Sequence, residues 1–260
     1  MKNYNRTIVV SSVAGICLAA ASGAYAQISS INSAIITQRV FNDYPSATGT
    51  YLNNYPTSIT LGEAGEYAAT GFANRDEWFF SNNGTSAYTL GANDFFTTSM
   101  TLDVTGTTSG DNEAGYIIPN ANGELPGGDL QFIADAQSGF LGMFGGSGFW
   151  NSGLTYTAGE TVTLSMQYFY DTANSVDAFQ FRVNAGSGNI YSPVQDLPSG
   201  DNLVGDNLGA YFQLAGTTSA PGSSGQAVFG TIGIAVPEPA TLALLGLGVL
   251  PLARLLRRRA

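Results

Sequence analysis

Two short repeats, Gly200-Asp201-Asn202-Leu203 and Gly205-Asp206-Asn207-Leu208, place carboxylate and amide oxygens on Gly-bearing segments, with Asp196 just upstream. Calcium prefers oxygen donors of this kind, so Asp196, Asp201, Asn202 and Asp206 are the candidate ligands of a structural Ca2+. Their spacing is not that of an EF-hand loop, and Asp or Asn beside Gly is also ordinary turn chemistry; both readings stand. Asp111, Asn112 and Glu113 form a second, smaller set. Paired carboxylates could instead cleave glycosidic bonds, which requires only an acid and a base or nucleophile. Asp76 and Glu77 adjoin Trp78, Asp129 and Asp135 bracket a short apolar run, and Glu160 opens another. None follows an alternating Glu-x-Asp-x-x-Glu pattern. Asp76 and Glu77 point to opposite faces of an extended chain. No catalytic residue is assigned.

Aromatic rings can stack on the apolar faces of pyranoses while nearby amides and carboxylates take the hydroxyls. Trp78, Trp150 and Tyr156 are the candidate ligand-binding rings, and core packing is the competing reading for both tryptophans. Tyr44, Tyr51 and Tyr55 lie in an Asn-rich stretch that reads as mobile. Phe140, Met143, Phe144, Phe149 and Trp150 are spaced by Gly142, Gly145, Gly146 and Gly148. That mixture builds core and tight turns, and it also suits a surface where glycines let a ligand approach.

Composition removes several chemistries. The 260-residue chain has no histidine and one cysteine, Cys17. This excludes Ser-His-Asp and Cys-His catalysis, His-ligated metals and any internal disulfide. Between residues 27 and 236 only Arg39, Arg75 and Arg182 are basic, against eighteen acids, a net charge of −15. Such a surface repels nucleic acid and anionic membranes.

The elements that must position these groups read as strands. Over Asp94–Val104, Phe96, Thr98, Met100, Leu102 and Val104 share one face. Over Glu160–Tyr170, Val162, Leu164, Met166, Tyr168 and Tyr170 do the same, as do Phe179, Phe181 and Val183. Shorter candidates are 34–41, 57–61, 66–71, 76–81, 86–90, 115–118, 129–134, 139–144, 209–215 and 226–234, separated by Gly/Asn/Asp/Pro turns. The stretch 28–36 reads as a short helix or an edge strand, and 186–208 as a long loop. Many short strands without a long amphipathic helical run predict an all-β, antiparallel two-sheet sandwich, jelly-roll-like, over 27–235. The layout resembles the concanavalin-like lectin and glucanase sandwiches in element order alone.

Both ends read as targeting devices. Lys2 and Arg6, an apolar run from Ile8 to Ala21, and Ala24-Tyr25-Ala26 before Gln27 form a secretory signal peptide over 1–26, expected as a helix. At the other end Val236-Pro237-Glu238-Pro239 precedes an apolar segment, 240–256, and then Arg257-Arg258-Arg259. The segment is at the short edge of what spans a bilayer as a helix and is interrupted by Pro251 and Arg254. The terminal arginines set a cytoplasmic end. This three-part tail resembles the PEP-CTERM sorting signal. The resemblance implies recognition by a membrane-embedded exosortase, cleavage near Pro237-Glu238-Pro239, and a bacterial host that makes exopolysaccharide.

The expectation is therefore an exported protein, membrane-anchored through its C-terminal helix before processing and then at the cell surface or extracellular. It is expected to associate with extracellular polysaccharide without catalysis. A glycoside hydrolase or lyase on the same fold and a passive matrix component are the alternatives.

Overall fold

Alternation with period two organises the chain. The computed structural model describes residues 28–66, 71–106, 112–120, 123, 125, 127–146, 148–186, 188–215 and 223–236. After a 3-10 turn, η1 (Ile28–Ser30), the described residues form fifteen strands. They are β1 (Ser33–Asn42), β2 (Thr48–Asn54), β3 (Ser58–Glu66), β4 (Ala73–Ser81), β5 (Phe96–Gly106), β6 (Asn112–Ile118), β7 (Leu130–Asp135), β8 (Leu141–Gly145), β9 (Gly148–Asn151), β10 (Val162–Asp171), β11 (Val176–Asn184), β12 (Asn189–Tyr191), β13 (Gln195–Asp196), β14 (Gly209–Ala215) and β15 (Ser223–Ala235). One sheet has seven strands in the order β1-β4-β14-β6-β7-β8-β9. The other has eight, β12-β11-β10-β5-β15-β3-β2 with β13 beside β11. The named pairings are antiparallel, so the fold is an all-β jelly-roll-like sandwich.

The three strongest alternations form as read. Phe96, Thr98, Met100, Leu102 and Val104 of β5 are buried, as are Val162, Leu164, Met166 and Tyr168 of β10 and Phe179, Phe181 and Val183 of β11. Tyr170 departs, because β10 reaches its terminal hairpin there and the ring is exposed. From the other sheet, Trp78, Phe80, Tyr116, Phe132, Leu141 and Phe212 meet these residues in one core. Burial at this scale stabilises by roughly 25 cal/mol per Å² of apolar surface removed from water.

Several boundaries differ from the sequence reading. The strand expected at 57–61 forms and runs on as β3 over Ser58–Glu66, and the one expected at 66–71 falls mostly on 67–70, outside the described residues. Residues 86–90 contribute only an isolated bridge, Thr89 to Asn207. The expected loop 186–208 holds β12 and β13, both paired to β11. The Asn-rich stretch around Tyr51 is the edge strand β2, paired along its length with β3. Both readings of 28–36 apply in turn, η1 and then β1. The signal helix and the transmembrane helix lie outside the described residues, as do Ala24, Ala26, Pro237, Glu238, Pro239, Arg257, Arg258 and Arg259. No helix among the described residues is long and apolar enough to cross a membrane.

Candidate functional site

Strand β4 divides its polar residues between two faces. Asp76, Trp78 and Phe80 point into the sandwich, while Arg75, Glu77 and Phe79 point outward from the seven-stranded sheet. On that outer face, register aligns Glu77 with Tyr211 of β14, Gly115 of β6 and Ile133 of β7. Arg75 aligns in the same way with Gln213, Glu113 and Asp135. At Gly115 a Cβ would lie 2.1 Å from the Phe132 carbonyl oxygen, so no larger residue fits. With no side chain in its way, the Tyr211 ring crosses β6. Its hydroxyl lies 3.0 Å from Glu113 Oε1 and 2.8 Å from Gln131 Oε1.

Arg75 anchors the other half of this layer. Its Nη2 is 2.6 Å from Glu77 Oε1 and 3.3 Å from Asp129 Oδ2, and its Nε donates to Glu77 Oε1 at 2.8 Å. The guanidinium also stands 4.6 Å from the Phe41 ring centroid and 5.5 Å from that of Tyr211, within cation–π range. Gln213 Nε2 donates to Glu113 Oε1 at 3.1 Å. Burial raises the Glu77 carboxyl pKa, against the opposing pull of Arg75. Burial and the Glu113 carboxylate push the Tyr211 phenol well above its ordinary value. Arg75, Glu77 and Tyr211 are all buried, and Asp129, Glu113 and Gln131 form the half-buried margin.

Beside this margin lies an aromatic platform. Phe149 of β9 pairs with Phe144 of β8, which pairs with Gln131. Phe149 is 66% exposed and stacks on Phe140 with centroids 5.7 Å apart. Phe140 and Phe144 in turn pack against the small outer cluster of Phe79, Ile117, Ile133 and Tyr211. The face therefore combines an accessible ring with the half-buried Gln131 amide and the half-buried carboxylates of Glu113 and Asp129.

The residues expected from sequence are placed differently. Trp78 is fully buried, edge-on to Phe80 at 5.2 Å and Phe229 at 5.8 Å. It occupies an inward position of β4 and is out of a ligand's reach. Tyr156 is also buried, a correction with a clear cause. Its hydroxyl accepts the Val104 N–H at 2.7 Å and donates to the Glu160 carbonyl at 2.8 Å, bracing the turn before β10. Trp150 is half-buried against Phe132, and its neighbour Phe149 takes the outward position.

The proposed calcium ligands do not converge. Asp196 Oδ2 accepts from Asn174 Nδ2 at 2.7 Å, Asn202 Oδ1 accepts the Val204 N–H at 2.9 Å, and Asp206 is buried. Among the described residues no three carboxylates gather closely enough to hold a cation. The local repeat around Asp201 is used by turns. In the second set Asp111 lies outside the described residues, and Asn112 Nδ2 donates to the Thr105 carbonyl at 3.0 Å. Sequence reasoning passed over Arg75, Gln131, Tyr211 and Gln213 as site residues, and it offered Glu113 only to a cation. Their signal was the i, i+2 spacing of Arg75 with Glu77 and of Tyr211 with Gln213, polar pairs inside otherwise apolar strands.

Residues 235–259 match the PEP-CTERM protein-sorting motif. No curated protein matches the chain. Solved structures similar to it include arcelin-5, a lectin-like defense protein from Phaseolus vulgaris. That likeness has 8% identity and a TM-score of 0.46 and covers 79% of this chain and 100% of that one. Alginate lyase A1-II′, a member of polysaccharide lyase family-7, has 9% identity and a TM-score of 0.45, covering 71% and 82%. Lectin UEA-II complexed with galactose has 9% identity and a TM-score of 0.40, covering 79% and 100%. At these identities no chemistry passes from those proteins to this chain.

Proposed function

We propose that the protein is exported and acts at the cell surface or in the extracellular matrix, where the outer face of its seven-stranded sheet binds polysaccharide. The sorting motif at 235–259 supports export and handling by an exosortase-type enzyme. In this reading the C-terminal segment anchors the chain until cleavage near Pro237-Glu238-Pro239. The observation that carries the binding reading is the Phe149 platform, an exposed ring stacked on Phe140 and in register, across Phe144, with Gln131. A saccharide chain that stacks one ring on Phe149 and continues across Phe144 brings the hydroxyls of its next unit to the Gln131 margin. The test is a glycan-array screen of the full-length chain, beside the Phe149→Ala variant. Reproducible binding that Phe149→Ala removes supports the reading, and a blank array with the producing cell's own polysaccharide included would overturn it. Intact mass of the exported form tests the processing step, which removes the apolar segment and Arg257 to Arg259.

One observation favours catalysis as a second reading: Arg75, Glu77, Glu113 and Tyr211 sit on the same face as the platform. Buried acids with raised pKa values serve as proton donors in glycoside cleavage. Release of new reducing ends or unsaturated products from a bound polysaccharide, lost in Glu77→Gln and Tyr211→Phe, would convert the binding protein into a hydrolase or lyase.

A further inference from the structure

The outer face of the eight-stranded sheet carries an arrangement of a different kind. Register sets Thr97, Gln167 and Gln180 side by side on β5, β10 and β11. The next row runs Ser99, Ser165, Arg182 and Tyr191 across β5, β10, β11 and β12. Thr97, Ser165, Gln167, Gln180, Arg182 and Tyr191 line a shallow depression of about 230 Å³. Its lining is hydroxyl, amide and guanidinium, with the Tyr191 ring 54% exposed at one side.

Arg182 is the unusual member. Arg39 and Arg75 each hold carboxylates within 3.3 Å. Arg182 makes no ion pair with any described residue, although the body of the chain has eighteen acids to offer. Its Nη2 donates to Ser165 Oγ at 2.7 Å, and Ser165 Oγ donates to Ser99 Oγ at 3.0 Å, a relay that steadies the arm. A guanidinium presents five N–H donors, so the rest of this fork is open to the depression.

The surrounding charge does not close the site to an anion. On this face Asp103 and Asp171 lie along β5 and β10 from Ser99 and Ser165, at about 13 and 20 Å by strand rise. Asp196 stands opposite Ala178, which is about 13 Å along β11 from Arg182. The Debye length at physiological ionic strength is about 8 Å. Negative charge elsewhere on the molecule is therefore largely screened at Arg182.

We propose that this depression binds a uronic-acid unit of an acidic polysaccharide. The Arg182 fork takes the sugar carboxylate, a geometry suited to two parallel N–H···O bonds. Gln167 and Gln180 take ring hydroxyls, and the Tyr191 ring lies against the pyranose. This site is on the opposite sheet from the Phe149 platform. With both occupied, the protein bridges two polysaccharide chains.

The experiment uses the full-length chain in mild detergent, titrated calorimetrically with β-1,4-linked tetraglucuronate and with cellotetraose, which differ only in their carboxylates. Tetraglucuronate is expected to bind at least about tenfold more tightly, with affinity falling as sodium chloride is raised. Arg182→Gln is expected to lose about that tenfold, Arg182→Lys to recover part of it, and Phe149→Ala to leave it unchanged. Equal affinity for the two tetrasaccharides, or undiminished tetraglucuronate binding by folded Arg182→Gln, would overturn the proposal. Equal binding of a length-matched sulfated cello-oligosaccharide would overturn the carboxylate assignment. If Arg182→Gln fails to fold, Tyr191→Ala, an exposed edge substitution, is expected to weaken both tetrasaccharides alike, and undiminished tetraglucuronate binding by it would overturn the site. Loss of glycan-array binding in Phe149→Ala concerns the other sheet alone, so the two readings fail separately.

Discussion

The two faces of β4 carry clusters built from the same chemical parts and used in opposite ways. Inside the sandwich, Arg39 of β1 clamps Glu63 of β3 through Nε–Oε1 at 3.0 Å and Nη2–Oε2 at 2.9 Å. Tyr51 of β2 reaches both Glu63 Oε1 and Asp76 Oδ1, at 3.1 and 3.0 Å, and the Arg39 backbone N–H donates to Asp76 Oδ1 at 2.7 Å. Asn74 Nδ2 completes the ring of donors around Glu63 at 3.3 Å. This cluster ties the two sheets together on the side where β1 and β2 form their edges. Outside, Arg75, Glu77, Tyr211 and Glu113 all belong to one sheet, and their margin opens onto Phe149 and Gln131. An arginine–carboxylate–tyrosine set that spans two layers is a fastener. The same set confined to one layer, with accessible groups beside it, can meet a ligand.

Breaking the inner cluster should have the largest effect. Removing one partner of a buried ion pair leaves an uncompensated charge, which costs about 3–5 kcal/mol. Arg39→Met is therefore expected to lower unfolding stability by that amount in urea melts. The double variant Arg39→Met/Glu63→Leu should recover most of it, because no charge is then left unpaired.

The second effect is a pH dependence that arises in the inner cluster. One phenolic proton cannot serve both Glu63 Oε1 and Asp76 Oδ1, and an additional proton on Asp76 relieves that conflict. Burial, reinforced by the Glu63 charge, pushes the Asp76 carboxyl up to about 7. A carboxyl pKa raised on folding means that the native state binds more protons than the unfolded chain. This contribution is fully present below the unfolded value near 3.8 and is lost as pH rises through 7. Stability should fall by up to about 1.4 kcal/mol per pH unit across that window. Asp76→Asn should flatten this part of the profile, and an unchanged slope would remove Asp76 from the account.

How much of this was legible depends on whether a residue's role follows from its own strand. The core faces of β5, β10 and β11 followed from alternation, because burying one face of a sheet dictates period two. The same rule separated Asp76 from Glu77. It could not say that Asp76 would meet Glu63 and Tyr51, since that contact depends on how β1 and β4 of one sheet close over β2 and β3 of the other. The Tyr211 site was hidden for a similar reason: it needs Gly115 on a neighbouring strand to be bare. Trp78 and Phe149 were open to either role until strand direction assigned one inward and the other outward. Short edge strands such as β9 and β12 carry too few residues for periodicity to register.

The outer cluster gives smaller and more separable effects. Tyr211→Phe removes one hydroxyl shared by Glu113 and Gln131 and should cost about 1–2 kcal/mol of stability. Both acceptors remain half-buried and can reach water. Glycan binding at the platform should weaken as well, because the Gln131 amide loses the partner that orients it. Phe149→Ala should do the reverse, leaving stability within about 0.5 kcal/mol, since the ring is mostly exposed. Its binding loss should be about tenfold, or ~1.4 kcal/mol. Measured together, the two variants set the boundary between fastener and binding face. If Phe149→Ala lowered the melting temperature as much as Tyr211→Phe and left glycan binding intact, the outer cluster would be a second fastener, equivalent to the one inside.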